Sequence, residues 1–157
     1  MIPSDRCLAL IREAEGVRYK PYDDIGGKAT IGVGHLLTED ELATGTLVIN
    51  GAPICYRDGL TEAEVDALFT QDIQHICDGV RRCVDTELTQ GQFDALVSFM
   101  FNIGEGRFKS STMCRLINSG DFSGAVDQFK LWINSNGKPV SGLIRRRRAE
   151  AKLFKGD

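Results

Sequence analysis

Apolar positions follow the helical period of about 3.6 residues over three stretches of the chain. They are Cys7, Leu8, Leu10, Ile11 and Ala14, then Val65, Leu68, Phe69, Ile73 and Ile76, then Phe93, Leu96, Val97, Met100 and Phe101. The first stripe closes at Glu15 with Gly16 behind it, which predicts a helix whose last turn carries Glu15 and whose C′ residue is the glycine. From Tyr19 onward the pattern shortens, is broken at Gly26 and Gly27, and alternates through Thr30, Ile31, Gly32, Val33 and Gly34. That alternation predicts a small twisted β-hairpin, with Asp24 in its first turn and Thr30 on its second strand.

Helix starts are marked by side chains able to satisfy orphan backbone amides. Thr38 with Glu41, Thr61 with Glu64 and Thr89 with Gln92 have the spacing of capping boxes. The middle stripe then predicts a long connector over 61–79, and the third stripe the centre of a helical lobe. Further helices are expected near 111–119, 123–133 and 141–154, separated by Gly120 and by a loop over 134–139. Around Asn50 and Gly51 the segment 44–59 predicts a short hairpin or an irregular flap. Together these describe an α+β chain, mainly α. Its single domain has a hairpin lobe over about 16–60, the connector, and a helical lobe over about 80–157 joined by the N-terminal helix.

Composition narrows the picture. With 157 residues and 42% apolar content, one unit can bury a substantial core. No stretch approaches the ~20 apolar residues of a membrane span, and the N-terminus has no basic segment ahead of an apolar one, so neither anchor nor export signal is expected. Five cysteines, Cys7, Cys55, Cys77, Cys83 and Cys114, form no Cys-x-x-Cys pair, and only His35 and His75 could join them. No metal and no cofactor is expected, and free thiols are. The run Arg145 to Arg148 would point around the whole circumference of a helix rather than form one basic face. With a net charge of −3, nucleic acid is not an expected partner.

The candidate chemistry lies at the hairpin. Eight residues separate Glu15 from Asp24 and five separate Asp24 from Thr30. Breaking a glycosidic bond needs one carboxylic acid to protonate the departing oxygen and a second carboxylate to activate water or attack the sugar carbon. Asp is also an ordinary turn former. Glu15, however, would sit at the negative end of a helix dipole, which disfavours an anion by roughly 0.3–1 kcal/mol. Asp23 is the rival base, since only one of two neighbours in extended chain can face the site. His35 competes for acid-base duty, but its expected partner is Asp72, in an ion pair between hairpin and connector. Arg146 is expected to reach back to Glu15.

The run Glu15-Gly16-x-Arg18-x3-Tyr22-x-Asp24-x2-Gly27-x2-Thr30-Ile31-Gly32-x-Gly34-His35 resembles the signature of the phage-type lysozymes, the endolysins of glycoside hydrolase family 24. The likeness continues through Phe69-x-Gln71-Asp72, through Phe99-x-Phe101-Asn102-x-Gly104-x-Gly106, and through Gly142-Leu143-x2-Arg146-Arg147-x2-Glu150, so it covers nearly the whole chain. It implies a lysozyme-like fold with a cleft between the lobes and a muramidase that cleaves peptidoglycan with inversion. Glu15 would be the acid, and Asp24 helped by Thr30 the base. It assigns substrate contact to Leu36, Phe101, Asn102 and Ser111. It further implies a monomer held in the host cytosol until a separate pore-forming holin lets it reach the wall. A lytic transglycosylase, needing one Glu and no base, and a non-catalytic wall-binding module are the competing classes.

Overall fold

The N-terminal stripe winds into α1, Asp5–Glu15, in a computed structural model that describes residues 1–157. Cys7 and Ile11 on its inner face are wholly buried. The helix stops because Gly16 takes a φ of +71°, the left-handed conformation in which only glycine avoids a β-carbon clash. The chain divides into two compact units, Glu15–Gln74 and Met1–Ala14 with His75–Asp157.

In the unit 15–74, β1 (Arg18–Asp23), β2 (Ala29–Gly32) and β3 (His35–Leu36) form an antiparallel sheet in that order. The third strand exceeds the expected hairpin. Gly32 and Gly34, at φ +66° and +65°, let the chain reverse again within two residues, so the alternation read as one strand is a strand and a turn. Tyr22 pairs with Thr30, and Thr30 in turn with Leu36, so these three residues lie side by side. Beyond the sheet, α2 (Glu39–Thr44) starts on the Thr38–Glu41 capping box. The segment 44–59 is a hairpin, β4 (Thr46–Ile49) and β5 (Ala52–Cys55), turning at Asn50 and Gly51 with φ of 52° and 79°. Both positive φ values are those of a tight hairpin turn whose twist matches its strands. Ile31, Val33, Leu47, Ile49, Val65 and Leu68 supply buried core.

The helix α3 runs Glu62–Cys83, four residues past the expected connector, and passes from one unit into the other. Its start is the expected box, with Thr61 N–H donating to Glu64 and Glu64 N–H to Thr61.

In the unit containing 75–157, α4 (Gln90–Ile103) is buried almost all round and lies along α8 (Ser141–Lys155). The helices approach where Gly91 has no side chain to meet the Leu153 carbonyl. Between them come α5 (Glu105–Lys109), α6 (Thr112–Asn118) and α7 (Phe122–Gln128). A 3-10 turn follows over Phe129–Leu131. The expected helix over 123–133 is therefore split, and α5, too short to show a period, was not expected at all. The loop 134–139 closes as two-residue strands, β6 (Asn134–Ser135) and β7 (Lys138–Pro139). Phe99 stands edge-on to Phe129 and Trp132, with centroids 5.2 and 5.5 Å away, the arrangement aromatic quadrupoles favour.

All five cysteines are free, and only Cys55 is exposed. Burial, with Asp94 adding to it, pushes the Cys7 thiol up to about 12, leaving it an inert core group. No helix is long and apolar enough to cross a membrane.

Candidate active site

Glu15 ends a rigid helix and is half-buried. The turn between β2 and β3 lies directly against it: a β-carbon placed on Gly34 would fall 2.6 Å from Glu15 Oε2. The carboxyl therefore occupies space that only a glycine leaves open.

Asp24 opens the turn between β1 and β2, and one of its oxygens builds that turn. Its Oδ1 accepts from the amides of Gly26 at 2.9 Å and Lys28 at 2.8 Å, while its backbone N–H donates to the Lys28 carbonyl at 2.8 Å. Such an Asx arrangement is what makes Asp a turn former. It also fixes the carboxylate and leaves Oδ2 for a further partner. Asp23 is exposed at the end of its strand, without an anchor of this kind.

Thr30 is 2% exposed and donates its hydroxyl proton to the Lys28 carbonyl at 2.8 Å. A hydroxyl has one proton and two lone pairs, so what remains to Thr30 is an acceptor. Across the sheet, Tyr22 is the one half-buried side chain of β1, and the Arg18 guanidinium stands 5.2 Å over its ring. Burial raises the phenol above its ordinary value; the nearby Glu15 and Asp24 carboxylates add to this and Arg18 opposes it. Leu36, opposite Thr30, is half-exposed.

His35 lies between two carboxylates. Its Nδ1 is 2.8 Å from Asp72 Oδ2, the partner expected from sequence, and its Nε2 is 3.1 Å from Glu41 Oε2. Burial alone would lower its pKa, but the hydrogen bonds and charges of Asp72 and Glu41 outweigh that and raise it to about 9. At neutral pH the ring is an imidazolium donating from both nitrogens, so it has no lone pair with which to act as a base. Glu41 was not foreseen as a partner, because the capping box already accounts for it: the same Oε2 accepts from the Thr38 amide at 2.9 Å.

In the other unit the residues assigned by resemblance have local partners. Asn102 is exposed, and its Oδ1 accepts from Arg147 Nη2 at 2.9 Å. Phe101 is half-buried. Ser111 caps α6, accepting from Cys114 N–H at 3.1 Å and donating to the Phe108 carbonyl at 2.6 Å. Arg146 is buried and donates to Glu150 Oε1 at 3.2 Å and to the Ser98 carbonyl at 3.0 Å.

Sequence reasoning missed the cluster around Glu150, which has no exposed surface. Arg147 Nε lies 2.9 Å from its Oε2, and Ser98 donates to its Oε1 at 2.7 Å. Burial pushes the Glu150 carboxyl up, while the guanidiniums and the Ser98 hydroxyl pull it down. The signal was present as Arg146 and Arg147 at offsets of four and three from Glu150, the spacing of one helical face.

The sequence model of the family described as phage lysozyme matches residues 12–150. The endolysin of Bacillus phage B103 is 36% identical over 94% of this chain, which spans about half, 51%, of that relative's length. Among solved structures, a mutant of P22 lysozyme is similar at a TM-score of 0.76 and 32% identity, covering 99% of each chain. The muramidase domain of SpmX from Asticaccaulis excentricus is similar at 0.74 and 35% identity, covering 96% of this chain and 95% of that one. With three-quarters and more of its residues inside the family match, and the carboxylate-bearing turn and helix end within it, this chain belongs to the phage lysozyme family.

Proposed function

We propose that the chain is a muramidase that hydrolyses the β-1,4 bond between N-acetylmuramic acid and N-acetylglucosamine in bacterial peptidoglycan. Glu15 is the general acid that protonates the departing glycosidic oxygen. Asp24 is the base: with Oδ1 committed to the turn, Oδ2 takes the proton of an attacking water. Thr30 holds that water. Because its own proton is given to the Lys28 carbonyl, it can only accept a hydrogen bond, and it orients the water's lone pair away from itself. The water then attacks the anomeric carbon on the face opposite the leaving oxygen, which inverts the configuration.

The observation that carries this reading is the anchored Asp24. A lytic transglycosylase closes an anhydro ring with the sugar's own hydroxyl and needs no second carboxylate, whereas here one is fixed in place with an oxygen to spare. His35, held as an imidazolium, does not compete for the role. The family likeness supports further roles for Leu36, Phe101, Asn102 and Ser111 as sugar or stem-peptide contacts. It also supports action on the wall after release through a separate holin.

Loss of turbidity of outer-membrane-permeabilised bacteria, wild type against Glu15→Gln, tests the assignment, with activity expected only in the wild type. Mass spectrometry of the fragments separates reducing muramic acid ends, expected here, from anhydro ends. Proton NMR of the first product formed is expected to show the α anomer, and a β anomer would overturn inversion.

A further inference from the structure

The chain is acidic overall, with a net charge of −3, yet the outward face of α8 carries four cations and no acid. Arg145, Arg148, Lys152 and Lys155 are all exposed. At about 100° per residue they fall within about 80° of the helix circumference. Arg146 and Arg147 point the other way and both pair with Glu150, the only acid of the helix. The four arginines in a row thus divide between two faces, and lysines one and two turns further on extend the outer one.

Cations in the last turn of a helix answer its dipole, which accounts for Lys152 and Lys155. Arg145 and Arg148 lie outside the last turn, where the dipole gives a cation no gain, so helix stability does not explain the whole stripe. Beside it, between α7, the 3-10 turn and α8, runs a groove of about 450 Å³. Val126, Phe129, Ile144 and Ala151 give it an apolar lining, and Arg148 and Lys155 reach into it from the stripe. Lys130 and Asp127 also line it and are paired with each other at 3.4 Å, so they add no net charge there.

We propose that this stripe and groove form an exosite for the stem peptides of the cell wall, with the peptide's carboxylates on Arg148 and Lys155 and its alanine methyl groups against the apolar lining. Arg145 and Lys152 extend the same field along the strand. The inference rests on the wall being the substrate, as proposed above. It gives an acidic enzyme a local hold on an anionic polymer, because a surface with a local excess of cations raises the nearby concentration of the opposite charge whatever the net charge of the molecule.

The test is retention of the full chain on purified sacculi, with Glu15→Gln as background so that the wall stays intact. Adding Arg148→Glu, Lys152→Glu and Lys155→Glu is expected to weaken retention roughly tenfold or more, with the difference vanishing near ~0.5 M salt. On glycan strands stripped of their peptides by an amidase, the two proteins are expected to bind alike. Equal retention on intact sacculi, or a difference that survives peptide removal, overturns the proposal. So does stronger retention by phosphatidylglycerol vesicles than by sacculi. With Glu15 restored, the triple variant is expected to cleave peptide-free strands at the wild-type rate. Absence of cleavage by both proteins would count against the muramidase reading and leave the retention result standing.

Discussion

Gly34 and Glu15 are packed so closely that a β-carbon on the glycine would lie 2.8 Å from the carboxyl carbon of the glutamate. Gly34→Ala therefore combines the strain of a side chain at φ +65° with displacement of the proposed acid. The strain costs roughly 1–2 kcal/mol, which a domain of ordinary stability survives. Displacing a reacting group by about 1 Å costs on the order of 100-fold in rate. Turnover at equal folded fraction is expected to fall by that order. Gly51→Ala is the control: its φ is +79° with nothing within 4 Å, so it should lose stability and keep turnover. Equal turnover losses in both variants would remove the positional argument.

Asp24→Asn separates the turn from the chemistry. Asparagine keeps an Oδ1 to accept from Gly26 and Lys28, so the melting temperature should barely move. Without a carboxylate to take a proton, turnover should fall about 10²–10⁴-fold. Thr30→Ser, which keeps the bond to the Lys28 carbonyl, should retain far more activity than Thr30→Val. Full activity in Asp24→Asn would transfer the base role elsewhere.

Local signals were legible and long-range ones were not. The three capping boxes start helices where their spacing placed them, because a cap is complete within four residues. Asn50-Gly51 produced its hairpin for the same reason. The β3 strand was missed because its two residues carry no period of their own and form a strand only by pairing with Thr30 and Ile31. Of the candidate site, the residue types and spacing were readable. That Thr30 spends its proton on a carbonyl, that Glu41 serves His35 as well as its helix, and that Glu150 is buried all depend on partners brought together by folding.

His35 makes stability depend on alkaline pH. Its pKa is 6.5 in the ordinary state and about 9 here, so the folded state holds the proton more tightly. The contribution is complete below pH 6.5, declines above it and is gone beyond about pH 9. Wild type should lose roughly 1–3 kcal/mol more than His35→Asn across that window, measured by denaturant titration at several pH values. At neutral pH Asp72→Asn should cost a similar roughly 1–3 kcal/mol while leaving turnover of the folded enzyme nearly unchanged. A large drop in turnover would make Asp72 part of the chemistry.

Glu150 faces two buried guanidiniums, Arg146 at 3.2 Å and Arg147 at 2.9 Å, with 4% and 1% of their side chains exposed. Replacing it by Gln preserves shape and one acceptor oxygen but takes the Glu150 charge away from both cations in the core between α4 and α8. Removing one partner of a buried pair costs about 3–5 kcal/mol, more than a lost neutral hydrogen bond at about 1 kcal/mol. Ser98→Ala, which deletes the 2.7 Å bond to Glu150 and leaves every charge in place, supplies the comparison. Urea denaturation should therefore rank Glu150→Gln well below Ser98→Ala in stability. If the two cost the same, the charges contribute nothing beyond their hydrogen bonds, and Glu150 would be holding the helices by geometry alone.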